Sequence, residues 1–238
     1  MKKFVIVIIG FLFSINSFAQ NSFGLELGGV SINQFSPVYQ FDSIIVMQND
    51  NEAFGTRLAG IFFEWQLSEK FTLHQKINYS RAYNSYLYYN ENKEVFPGEF
   101  EIKVSGPNVT RVSWEILPQF SMVNFGKMKI NAFGGVNLSA NIVKNDPMLS
   151  FRGLPGVSKV GNAFQTSQLP VTLNFAFGGS IEYAKRIVFW AKWQPTSFYS
   201  KEIEIDRELY PFENRWSFFS ISVGYKIYSF RLKKQGDI

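Results

Sequence analysis

Cysteine is absent and histidine occurs once in a chain of 238 residues. Without cysteine there is no disulfide framework, no thiolate metal site and no lipid-anchoring thiol. One imidazole and no thiolate do not supply the usual ligands of a zinc site, and no cofactor is expected. Beyond the N-terminus no apolar run approaches the ~20 residues a membrane helix requires. There is no Pro- or Ser-rich linker and no break in composition, so one domain is expected. A strong charge of either sign is missing too. The formal charge is +5, and loss of Lys2 and Lys3 with a leader leaves +3, which is no footprint for nucleic acid.

The leader is read from Lys2 and Lys3, the apolar run 4–13 and Ser17-Phe18-Ala19, the pattern of a secretory signal. Cleavage is expected after Ala19, which divides the chain into a signal peptide, 1–19, and a single domain, 20–238.

What is abundant is aromatic side chains, 18% of the chain with 26 Phe, and alternation. Side chains of a strand point to opposite faces with period two. Between 112 and 142 two alternating strands flank the polar turn Asn124-Phe125-Gly126-Lys127. On the second, Ile130, Ala132, Val136, Leu138 and Ile142 share one face, opposite Asn131, Phe133, Asn137, Ser139 and Asn141. Further strands are read at 22–30, 54–67, 71–83, 170–183, 187–197 and 216–230. Gln75 is the one polar residue on the apolar face of its strand.

The connections alternate between long and short. Ser68-Glu69-Lys70, Asn124 to Lys127 and Ala184-Lys185-Arg186 are tight, whereas 31–52, 84–111, 143–168 and the stretch ending near Arg215 are long. Short periplasmic turns and long external loops mark outer-membrane barrels. The reading is therefore an all-β fold, an eight-stranded antiparallel up-and-down transmembrane β-barrel with both termini periplasmic, integral to a bacterial outer membrane.

A soluble lipocalin-like carrier alternates equally well, with its apolar face turned inward. Charge parity discriminates. Glu26, Glu64, Lys76, Glu115, Glu182, Lys192 and Lys226 all fall opposite the apolar face, which suits a polar, side-chain-filled lumen and not a pocket for a greasy ligand. These seven residues are expected to form a structural charge network. Trp65, Trp114, Trp193, Tyr183 and Tyr225 on the apolar face suit interfacial girdles. Closure should bring the first and last strands together, with Glu26 and Lys226 in salt-bridge reach directly or through Glu182 or His74.

Several stretches resemble the outer-membrane β-barrel family that includes the PorT-type proteins, and more loosely the small OmpX-like barrels. They are Leu67-Ser68-Glu69-Lys70-Phe71-Thr72-Leu73, Ile77-Asn78-Tyr79-Ser80-Arg81, Trp114-Glu115-Ile116-Leu117-Pro118, Phe133-Gly134-Gly135-Val136, Phe177-Gly178-Gly179-Ser180-Ile181-Glu182-Tyr183 and Ser220-Ile221-Ser222-Val223-Gly224-Tyr225. Together they run through nearly the whole chain after the leader. Two residues separate Glu115 from Pro118 where family members usually have one, and the chain continues past its last aromatic, Phe230, to Ile238. The resemblance implies a part in protein secretion across the outer membrane.

The sequence offers little catalytic chemistry. His74 lies four residues past a periplasmic turn, at the wrong end for a lipid A deacylase or acyltransferase, and no His-x-Ser follows it. A structural lumen histidine is the simpler reading, and a lipid-modifying barrel enzyme is the alternative. Tyr83, Tyr86, Tyr88, Tyr89, Phe96 and Phe100 lie in an external segment, where aromatic residues anchor a protein partner or meet lipid headgroups. The sequence thus points to a non-enzymatic, monomeric barrel that contacts outer-membrane lipid and recognises a protein partner through its external loops.

Overall fold

The computed structural model describes residues 20–35, 39–41, 44–48, 56–82, 85–90, 102–105, 108–144, 159–160, 163 and 169–231. The proposed leader, 1–19, lies outside them, as do Tyr83, Phe96 and Phe100. Twelve strands occur among the described residues. In chain order they are β1 (Gln20–Phe35), β2 (Tyr39–Phe41), β3 (Ile44–Gln48), β4 (Thr56–Gln66), β5 (Phe71–Ala82) and β6 (Ser85–Asn90). The others are β7 (Ile102–Ser105), β8 (Asn108–Phe125), β9 (Met128–Lys144), β10 (Val171–Tyr183), β11 (Ile187–Ile205) and β12 (Glu208–Arg231).

Eight of them close into an antiparallel barrel in the order β1-β12-β11-β10-β9-β8-β5-β4. β1 completes the circle by pairing with β12 on one side and β4 on the other. The alternation sets the faces. Along β10 exposure and burial alternate from Val171, Leu173 and Phe175 outward to Thr172, Asn174 and Ala176 inward. Leu173 is 70% exposed and Glu26 only 1%. This is the inverse of a lipocalin, and it excludes the soluble-carrier alternative.

The remaining strands pair as a second sheet, β2-β3-β6-β7, built from two connections that the sequence reads as loops. The final long connection is also different from expectation. Instead of a loop ending near Arg215, β11 and β12 continue upward as one hairpin to a two-residue turn at Asp206-Arg207. Both turn residues have positive φ, 51° and 71°, the geometry whose twist matches that of the flanking strands. The alternation of Glu202, Ile203, Glu204 and Ile205 continues the strand pattern into this arm, and Ile203 is buried within it. A barrel strand crosses hydrocarbon with about 9–11 residues. β11 has 19 and β12 has 24, so much of the arm stands clear of the membrane.

The barrel wall has one short seam. β10 pairs with β9 from Val171 to Tyr183, but with β11 only from Phe177 to Tyr183. Carried on, the register would set Ala176 against Gln194 and then Phe175 against Pro195, and proline has no N–H to donate. A register shift between Gln194 and Ser197 follows at once on the β12 side. Gln75 faces outward between Phe63 and Ile116, and nothing in the structure explains it.

Candidate functional site: a filled lumen and an external arm

All seven charged residues singled out by parity are buried inside the barrel. The structure gathers them into three connected groups. Near the end that holds both barrel termini, Lys226 lies 2.6 Å from Glu64 and 3.1 Å from Glu182. Ser22 donates to Glu64 at 2.9 Å, and His74 Nε2 stands 4.0 Å from the other Glu64 oxygen. In the middle, Lys76 lies 3.0 Å from Glu26, which also accepts from Ser222. Lys192 donates to Glu115, and Asn137 donates to the same carboxylate oxygen at 3.0 Å.

The direct Glu26–Lys226 contact expected from strand heights does not form. The β1–β12 ladder slips between Phe23 and Gly24, so Lys226 faces Gly24 and Glu26 faces Gly224. Each charge then reaches a different wall. Lys226 binds Glu64 and Glu182 while Glu26 is served by Lys76 from β5, so the indirect link through Glu182 or His74 does not form either.

Arg111 is an eighth buried charge in the lumen, and the sequence reading misses it by placing it at the end of a loop. Its Nε donates to Ser139 at 2.8 Å and its Nη2 to Gln194 at 3.0 Å, and the guanidinium lies 4.2 Å from the Phe218 ring centre. The alternation Arg111, Ser113, Glu115 is the signal that could have found it. With Arg111 counted, four carboxylates face four permanent cations among the described buried residues. Buried charge needs such balance, because an unpaired ion in a low dielectric costs several kcal/mol.

The sequence reading also understates how apolar the lumen is. Phe62, Leu117, Phe133, Ala176, Val188 and Trp190 form a buried cluster inside the barrel. Phe62 and Trp190 meet edge to face, with ring centres 5.1 Å apart. Glycines make room for these rings. A side chain at Gly224 would run into Trp190, one at Gly24 into Phe62, and one at Gly178 into Phe133. Small barrels fill their interiors by setting large residues against small ones in this way.

His74 is 2% exposed and stands edge-on to Trp190, with ring centres 6.3 Å apart. It is separated from the lipid by the barrel wall. No group of three or more metal-ligating side chains forms among the described residues. Tyr86, Tyr88 and Tyr89 lie on β6, in the second sheet.

Outside, the barrel is apolar over its whole circumference, from Leu25 and Leu27 on β1 to Ile221, Val223 and Ile227 on β12. A closed sheet has no unpaired edge to expose to hydrocarbon, and this dressing of apolar outside and polar inside belongs to an integral outer-membrane protein.

No family model matches the chain, and no curated protein sequence matches it. Solved structures of outer-membrane proteins do. The outer membrane protein OprG of Pseudomonas aeruginosa is 9% identical, covering 90% of this chain and 99% of that one, with a TM-score of 0.43. Neisserial surface protein A is 10% identical, covering 87% and 99%, with a TM-score of 0.42. The Outer Membrane Protein W of E. coli is 10% identical, covering 87% and 98%, with a TM-score of 0.40.

Proposed function

We propose that this protein is a non-enzymatic outer-membrane barrel whose working surface is its external β-structure, serving as an accessory to secretion or surface assembly. One observation carries the reading. The lumen is filled by paired charges and aromatic rings, while β11 and β12 continue beyond the membrane as an ordered arm. A membrane anchor with a filled lumen that projects a hairpin beyond the membrane is suited to recognition. The resemblance to PorT-type barrels supports the narrower assignment to secretion. The position of His74, walled off from lipid behind β5, supports a non-enzymatic role, because an acyl-transferring base must reach a lipid headgroup.

Pull-down from native outer membranes after mild crosslinking tests the reading. The full chain is expected to retain a protein partner. A variant with 202–211 replaced by a short turn should lose that partner while keeping heat-modifiable gel migration. Equal capture by both proteins would remove the arm from the proposal. A change in lipid A composition on His74→Ala would favour the enzyme instead.

A further inference from the structure

The three short turns lie side by side at the end where both barrel termini sit. The backbone knits them together: Ser121 N–H donates to the Lys70 carbonyl, Ala184 N–H to that of Lys127, and Lys226 N–H to that of Arg186, each at 2.8 Å. Lys70, Lys127, Lys185 and Arg186 are thereby held along one rim, all exposed, with Glu69 the one acid in these turns. Among the described residues no ion pair holds any of the four.

Apolar and aromatic side chains stand directly beside this rim. Phe125 is 64% exposed, and Met122, Met128, Phe71, Tyr183 and Tyr225 are exposed as well. The Arg186 guanidinium donates to the Tyr225 hydroxyl at 3.5 Å, which places that cation on the lipid-facing side of the wall. Cations just beyond an aromatic belt lie at the depth of lipid phosphates, where amphipathic rings and long basic side chains both settle. The described arm at the opposite end carries more acids than bases at its tip. Glu202, Glu204, Asp206 and Glu208 are exposed there beside Arg207, and Lys159 pairs with Asp206 at 2.8 Å.

We propose that Lys70, Lys127, Lys185 and Arg186 form a cationic collar that binds the phosphate headgroups of anionic phospholipids in the periplasmic leaflet. The inference rests on the membrane reading above, which places the short turns at that leaflet. The site is built for a lipid surface and not for a free anion, because its charges are spread along a rim and share it with apolar side chains. Each basic residue close to a membrane adds to attraction for anionic lipid, and the attraction is screened by salt.

Native mass spectrometry of the folded full chain in detergent, titrated with phosphatidylglycerol or phosphatidylcholine of matched chains, tests this. Wild type is expected to retain phosphatidylglycerol about tenfold or more over phosphatidylcholine. The variant K70Q/K127Q/K185Q/R186Q should lose that preference, and K159Q/R207Q, at the opposite end, should keep it. If the fourfold variant does not fold, K127Q/K185Q in the exposed turns should reduce the preference several-fold. Equal retention of both lipids by wild type, or a preference that survives the collar substitutions, overturns the proposal. So does its abolition by millimolar inorganic phosphate, which would mark a site for small anions. Heat-modifiable migration is read on every sample. Failure of wild type to show it would count against the barrel, whereas folded samples without lipid preference would sink the collar alone.

Discussion

Lys76 holds its ammonium 3.4 Å from the centre of the Trp190 ring, with the Glu26 carboxylate 3.0 Å away. The three residues come from β5, β11 and β1, so one contact ties together walls that are distant around the barrel. A desolvated cation over an indole face is worth about 2 kcal/mol. The ion pair itself is harder to credit with net stability, since burying both charges offsets much of their attraction.

Loss of one partner should therefore hurt more than loss of both. Lys76→Met leaves Glu26 buried with only Ser222 as a donor, and should destabilise the barrel by about 3–5 kcal/mol. The double replacement Glu26→Gln with Lys76→Met should recover a good part of that. Urea unfolding in bilayers, followed by tryptophan fluorescence, measures both. A double variant less stable than Lys76→Met alone would show that the pair contributes more than charge balance.

Glycine positions opposite the lumen rings predict steric failure of a specific kind. Gly224→Leu drives a side chain into Trp190 and should abolish the heat-modifiable band. Trp190→Ala in the same chain should restore folding at least in part, because it vacates the volume the leucine needs. Gly126 is the control. Its φ is +54°, yet a side-chain carbon added there would meet no atom within 4 Å. Gly126→Asn, which tolerates left-handed backbone, should therefore fold normally.

The barrel itself is legible because alternation is local information. A strand's parity needs no knowledge of its neighbours, so Glu115, Lys192 and the other charges can be placed inward from the sequence alone. Partners are not local. Which carboxylate Lys226 meets depends on a one-residue slip between β1 and β12, and nothing near Phe23 or Lys226 announces it. Apolar lumen residues are hidden for another reason. Ile61-Phe62-Phe63 and Val188-Phe189-Trp190 are apolar on both faces, so parity alone leaves the inward ring unmarked. The glycines opposite them hold that information, but only once the register is known. The arm escapes a sequence reading because Asp206-Arg207 is a hairpin turn without the glycine or asparagine that usually signals one.

The seam at Pro195 should be the first part of the wall to open. Phe177 to Tyr183 have ladders on both sides, whereas Val171 to Ala176 are paired with β9 alone. Opening free energies follow local hydrogen bonding and packing, so amides at 171–176 should exchange faster than those at 178–183. Hydrogen–deuterium exchange on the folded protein in micelles checks this. Uniform protection along β10 would mean that another segment completes the wall there.

The last prediction concerns conduction, on which the recognition reading depends. Eight strands give an interior that side chains can fill, and open aqueous channels occur in much wider barrels. Here the filling is explicit. Phe62, Leu117 and Trp190 pack across the interior, and charge groups lie against this cluster, with Lys76 on the Trp190 ring and His74 edge-on to it. Arg111 adds a further tie by bonding β9 to β11 through Ser139 and Gln194. Ions crossing the lumen would have to separate paired charges and displace rings held in glycine slots. Wild-type protein in planar bilayers is therefore expected to show no steady conductance. Phe62→Ala combined with Trp190→Ala should produce measurable, noisy conductance if the variant still folds, because it removes the two rings that meet at the centre. Steady single-channel currents from wild type would sink the filled-lumen account and, with it, the argument that this protein works through its external arm. A silent wild type beside a conducting double variant would locate the seal at those two rings.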